Sequence, residues 1–113
     1  MRETIDKIRK FRDERDWMQF HDPKNLAASI AIEAAELLEI FQWTHGEESL
    51  RVAQQKKDRV SDEIADVGIY LIELCDILGI DLASAIDAKL EKNAKKYPVE
   101  KSKGRWTKYT DFE

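Results

Sequence analysis

Glu33 and Glu36, and again Glu63 and Asp66, are acid pairs at i, i+3, a spacing that sets both members on one helical face. Spacing alone decides little where about a fifth of the residues are acidic. Glu3/Asp6, Asp13/Asp16, Glu36/Glu39 and Glu73/Asp76 repeat it, and an arbitrary pair reads as a solvated face. Context separates the first two pairs. Glu33 interrupts the apolar seam Leu26, Ile30, Leu37, Ile40 where another Leu is expected, and Glu36 follows one turn on, beside Ala34, Ala35 and Leu37. Glu63 and Asp66 border the row Ile64, Val67, Leu71. Burying an ionised carboxylate without a partner costs several kcal/mol. No Lys or Arg lies within a turn of Glu33 or Glu36, and only Arg59 precedes Glu63 at that distance. One divalent cation would relieve both pairs, and all-oxygen ligation favours Mg²⁺, with Mn²⁺ as the alternative, over zinc.

Other residues could hold an anion and a flat ring. Lys89, Asn93 and Lys96 fall at i, i+4, i+7 on one helical face. They form either a solvated basic stripe or a set of contacts to polyphosphate oxygens, with Asn93 supplying an amide. Trp17, Trp43 and Trp106 sit at element ends or in the C-terminal segment, outside the apolar seams. Such positions suit an oligomer interface or stacking on a nucleobase. His21 closes the cluster Trp17, Phe20, His21 and reads equally as a local capping residue. Tyr70, one turn after Asp66, looks toward the same place or is a core tyrosine.

These residues need helices to position them. Ile5, Ile8 and Phe11 predict a first helix over about residues 3–16. Asp22-Pro23 starts a second, running to about Trp43 before Gly46. A third is expected from near Ser49 to Gly79, on an apolar row from Leu50 to Leu78 in which only Lys57 is out of character. Asp81 caps the fourth and Tyr97-Pro98 stops it, leaving residues 98–113 as an extended polar tail. No segment alternates with period two, so the fold class expected is all-α, a four-helix bundle in a single domain over 1–113. A chain this polar has little apolar surface to bury, so oligomerisation is expected to complete its core.

Composition closes several routes. The chain has 113 residues, 42% hydrophobic and 37% charged, with a formal charge of −4. That charge disfavours binding to a nucleic acid polymer. The N-terminus is too charged for a signal peptide, and the longest charge-free run, Asn25 to Ile32, is too short to span a bilayer, so a cytoplasmic, membrane-free protein is expected. A single Cys75 removes thiolate zinc sites, no Glu-x-x-His supports a di-iron bundle, and no Gly-rich phosphate loop is present. Charge is also segregated: residues 25–50 and 60–88 carry acids with no Lys or Arg, whereas 89–108 carry eight bases against two acids.

Glu33-Ala-Ala-Glu36, a 26-residue gap and Glu63-Ile-Ala-Asp66 resemble the signature of MazG-like nucleotide pyrophosphohydrolases. Glu14 to His21, Phe41-Gln-Trp43, and Lys89 to Asn93 followed by Lys96-Tyr-Pro98 resemble the dCTP pyrophosphatase-like branch. The resemblance covers nearly the whole chain. It implies an all-α homodimer or homotetramer that cleaves a nucleoside triphosphate, dCTP-like in base, to monophosphate and pyrophosphate. It implies that Glu33, Glu36, Glu63 and Asp66 hold Mg²⁺ and are catalytic, and that Lys89, Asn93 and Lys96 meet phosphate or sugar. Trp17, His21, Tyr70 and a Trp43 supplied by a neighbouring subunit would line the base pocket. The first helix lacks the His that the eukaryotic dCTP branch carries, which leaves another nucleotide as the alternative substrate. A non-catalytic helical interaction module is the alternative from outside the enzyme class.

Overall fold

A computed structural model describes residues 1–112. They form an all-α fold with no strand among the described residues. The chain divides into two compact units, Met1–Gly79 and Ile80–Glu113.

In the first unit, α1 (Arg2–Glu14) leads through a 3₁₀ turn at Met18–Phe20 into α2 (Pro23–Glu39). A second 3₁₀ turn, Gly46–Glu48, precedes α3 (Ser49–Gln55) and α4 (Lys57–Leu78). The start of α2 is built as the sequence predicts: the Asp22 carboxylate accepts from the Asn25 amide at 2.7 Å and Pro23 occupies the first turn. Asn25 Nδ2 also donates to the Phe20 carbonyl at 2.9 Å, fixing the angle at which the chain enters the helix. Gly79 ends α4 in the left-handed conformation, with φ 67°.

The third predicted helix is two. The backbone breaks at Lys56, with φ −110° and ψ 30°, inside the polar run Gln54-Gln55-Lys56-Lys57 that offers no apolar side chain to either neighbouring turn. The second predicted helix is also shorter than expected. From Ile40 onward the amides bond three residues back, Phe41 to Leu38 at 2.9 Å and Thr44 to Phe41 at 2.9 Å, so the chain tightens into turns before Trp43.

The core of this unit lies where α2 packs along α4, with α1 against α4 as well. Leu26 (1% exposed) and Ile40 are its buried apolar residues, both from the seam that Glu33 interrupts. Arg12 is buried too: its Nε donates to Asp13 at 2.9 Å and its Nη1 to Asp76 of α4 at 3.4 Å. Arg9 Nε donates to both Asp76 oxygens at 3.1 Å, so two arginines of α1 clamp one carboxylate of α4. Asp16, at φ 54°, then reverses the chain into Trp17, a left-handed position that a short polar side chain tolerates.

In the second unit, α5 (Leu82–Lys96) starts at Asp81, whose carboxylate accepts from the Ser84 amide at 2.9 Å. The expected extended tail is instead partly folded. α6 (Val99–Ser102) follows Pro98, and a 3₁₀ turn at Tyr109–Asp111 brings Tyr109 and Phe112 edge-on to Tyr97, with centroids 5.7 and 5.8 Å away. Aromatic area at both ends of the segment outweighs its polar composition. No helix among the described residues is long and apolar enough to cross a membrane.

Candidate active site

Glu33 and Glu36 project from α2 and Glu63 from α4 so that one carboxylate oxygen of each lies within 4.8 Å of the others. The two helices that make the core therefore also set the spacing of the acids. Glu33 Oε2 and Glu63 Oε2 are buried and have no hydrogen-bond partner. Asp66, one turn beyond Glu63, stands outside this tight trio but close enough for its charge to act on Glu33 and Glu63.

The electrostatics follow from this crowding. Burial first, then the hydrogen-bonding contact with Glu36, then the charges of Glu36, Asp66 and Glu63, push the Glu33 carboxyl up to about 7. Burial and the Glu36 charge raise Glu63 as well, opposed weakly by Arg59. A cluster that resists ionisation and leaves two buried oxygens unpaired is matched by a hard divalent cation, which takes oxygen ligands. The residues present fit such an ion.

The same groups set a pH dependence. A carboxyl whose folded value exceeds its unfolded one binds more protons in the native state, so stability falls as pH rises between the two. For Glu33 that window runs from 4.5 to about 7. In EDTA the unfolding temperature should therefore fall by several degrees between the bottom and top of that window, and divalent cation should restore it at the upper end. A flat profile by scanning fluorimetry would show that the carboxylates are solvated.

Beside the acids lies a cavity of about 680 Å³, whose wall includes Phe11, Trp17, His21, Asp66, Tyr70 and Glu73. The left-handed turn at Asp16 sets Trp17 edge-on to Phe11 at 5.7 Å, and His21 stands 6.4 Å from Trp17 and 6.4 Å from Tyr70. Aromatic rings thus form part of a wall that Ile8, Ile69, Ile72 and Lys7 complete, and Asp66 lies in it as well. Burial, followed by the charge of Glu33, raises the Tyr70 phenol above its ordinary value. Gly68 lies in the wall, and a Cβ there would meet nothing within 4 Å.

Of the residues singled out from sequence, Glu33, Glu36 and Glu63 converge, with Asp66 beside them, and Trp17, His21 and Tyr70 share the cavity with Asp66. Trp43 does not join them: it is 89% exposed in the turn after α2. Trp106 is also fully exposed. Lys89, Asn93 and Lys96 lie along α5 of the second unit, where Lys96 Nζ sits 4.9 Å from the Tyr109 ring.

Two features escaped the sequence. Phe11 and Ile8 of α1 form part of the wall, although they read only as helix-packing residues. Glu73, grouped with the background acid pairs, is 3% exposed. Its signal was present: Glu63, Asp66, Tyr70 and Glu73 follow at steps of three, four and three, one continuous face of α4.

Comparison with known proteins gives a consistent picture. A family model described as the MazG-like family matches residues 28–112. The chain is 41% identical over 115 residues to dCTP pyrophosphatase 1 of Rattus norvegicus, and 36% identical to that of Homo sapiens. Each alignment covers 96% of this chain and 68% of the relative. A crystal structure of a pyrophosphatase from Archaeoglobus fulgidus superposes with a TM-score of 0.85 at 54% identity, covering 87% of this chain and 92% of that one.

Proposed function

We propose that this chain, which belongs to the MazG-like family and is a nucleotide pyrophosphohydrolase, takes dCTP or a closely similar deoxynucleoside triphosphate and requires Mg²⁺. The observation that carries this reading is the pairing of two features in one unit. Three carboxylates converge with two buried oxygens unpaired, and an aromatic cavity opens beside them.

Glu33, Glu36, Glu63 and Asp66 would hold the cation, with Mn²⁺ as a substitute. When bound, Mg²⁺ supplies charge screening for the polyphosphate and Lewis acidity at phosphorus. The chain's own residues do the rest. Phe11, Trp17 and Tyr70 present flat faces to the base and hold the nucleoside end of the substrate. Asp66 lines the cavity and acts by its charge on the trio, and of the four acids it is the one we assign to accept the proton of the water that attacks the α-phosphorus. Lys89, Asn93 and Lys96 share one face of α5 in the second unit, and their cations and amide are of the kind that meets phosphate or sugar oxygens.

Assembly as a homodimer or homotetramer is part of the same reading. Ile32, Leu38, Leu50 and Ile64 are large apolar side chains left exposed, among them members of the row expected to be buried. A second copy would cover them, and an exposed Trp43 would then be available to a neighbour's cavity.

A panel of deoxynucleoside and nucleoside triphosphates with Mg²⁺, its products resolved, tests the substrate and metal together. Monophosphate and pyrophosphate are expected, fastest from dCTP and lost on adding EDTA. Release of orthophosphate would place cleavage at another phosphorus, and turnover undiminished by EDTA would remove the metal.

A further inference from the structure

The cavity holds a buried acid that chemistry at the phosphate leaves unused. Glu73 is 3% exposed, lines the wall with Tyr70, His21 and Trp17, and its Oε2 has no hydrogen-bond partner. His21 Nδ1 stands 3.4 Å from that oxygen, within ion-pair distance, yet neither atom makes a hydrogen bond. Two facing polar atoms that fail to satisfy one another inside an aromatic cavity call for a third group between or beside them. Burial raises the Glu73 carboxyl above its ordinary range, while the charges of His21 and Arg12 pull it back.

Position says what that group is. Glu73 lies seven residues after Asp66 on α4, about 10 Å along the helix axis at 1.5 Å per residue. A nucleoside has a comparable length. A nucleotide with its phosphates at the carboxylate trio and its ring against the aromatic side chains would bring the edge of the base toward Glu73. Stacking accepts every base, because each has a π-face. Discrimination must then come from a polar group at the edge.

We propose that Glu73 is a specificity-determining residue of this site, its Oε2 accepting the exocyclic amino N–H of the nucleobase, so that the cavity takes amino-bearing bases over oxo-bearing ones. The inference rests on the nucleotide reading above. Cytosine presents an amino donor where uracil presents a carbonyl acceptor. Uracil would set acceptor against acceptor and leave both desolvated and unpaired. A site built to pair a substrate N–H rejects analogues lacking it far more strongly than an apolar pocket rejects a missing methylene.

Three substrates test this on the unaltered protein: dCTP, dUTP and the pyrimidinone deoxynucleoside triphosphate that has no exocyclic group. The kcat/KM should fall at least about tenfold for both analogues, mainly through KM, since the contact is made in ground and transition states alike. Glu73→Gln, whose amide can rotate to offer either N–H or C=O, should narrow the dCTP-to-dUTP ratio at least about tenfold while the fold persists. Calorimetric binding of dCMP and dUMP without metal reads the same preference without turnover. Equal use of dCTP and the pyrimidinone analogue by the unaltered protein would overturn the assignment even if the variant failed to fold. So would a folded Glu73→Gln protein that kept the full ratio. A protein that hydrolyses nothing yet binds dCMP over dUMP through Glu73 would sink the substrate reading and keep this inference. Brisk hydrolysis of every base alike would do the reverse, and failure both to hydrolyse any triphosphate and to bind either monophosphate would overturn both.

Discussion

Glu33→Gln should lose roughly a thousandfold or more in turnover while making the metal-free protein more stable. The activity loss exceeds the roughly 10- to 100-fold that follows removal of an outer hydrogen-bond partner of a metal ligand, because here a ligand itself is neutralised. The stability gain comes from the same atoms. Glu33 is the carboxyl most strongly pushed toward its neutral form, by burial and by the charges of Glu36, Asp66 and Glu63. Gln keeps the shape and removes one of the crowded negative charges. Above neutral pH in EDTA the variant should therefore unfold at a higher temperature than the wild type, and Mg²⁺ should shift it less. Opposite signs in the two readouts exclude misfolding as the cause of inactivity. Near-normal turnover would remove Glu33 from the site, and lower metal-free stability would show that its carboxylate is satisfied by contacts within the chain. Asp66→Asn offers the contrast. As the acid at the border of trio and cavity, it should lose turnover comparably yet keep more of the Mg²⁺-induced thermal shift.

The acids were legible because burial and period disagree at one position. Leu26, Ile30, Leu37 and Ile40 define a stripe, Glu33 falls inside it, and the structure buries Leu26 and Ile40 at either end of that stripe. Local pattern was enough there, since α2 meets α4 along a straight face. It was not enough for Glu73. The face it shares with Glu63, Asp66 and Tyr70 is visible in the sequence, but its burial beside His21 is not, because His21 reaches α4 only after the reversal at Asp16. The regular row from Leu50 to Leu78 misled in the other direction. A periodic apolar row says that a face will be covered, not by what: Ile64 is 55% exposed within the single chain, and Leu50 sits on a separate helix beyond the break at Lys56. The folded C-terminal segment was missed for a related reason. Tyr97, Tyr109 and Phe112 are too far apart in sequence to show as a period, yet together they form one aromatic cluster.

Core and site share a helix pair, so a core mutation should reach the chemistry. Leu26→Ala is expected to cost about 4 kcal/mol, within the range of about 2–5 for a buried Leu truncated in a packed interior. The upper half of that range applies where surroundings cannot collapse, and Leu26, at 1% exposure, is enclosed at the start of α2 where the Asp22 cap and the Asn25–Phe20 hydrogen bond fix the backbone. Against a total stability of about 5–15 kcal/mol such a loss is a large fraction. The consequence extends seven residues along α2 to Glu33, because the packing that Leu26 anchors also holds Glu33 and Glu36 opposite Glu63. Urea unfolding in EDTA should show the lower midpoint with an unchanged slope, the mark of lost stability without a change in the surface exposed. Divalent cation should return part of it by mass action, since only the folded pair of helices brings the three carboxylates together. If the midpoint moved and the cation returned nothing even at saturating concentration, the α2–α4 packing and the carboxylate trio would be independent, and the coupling of fold to site argued here would fail.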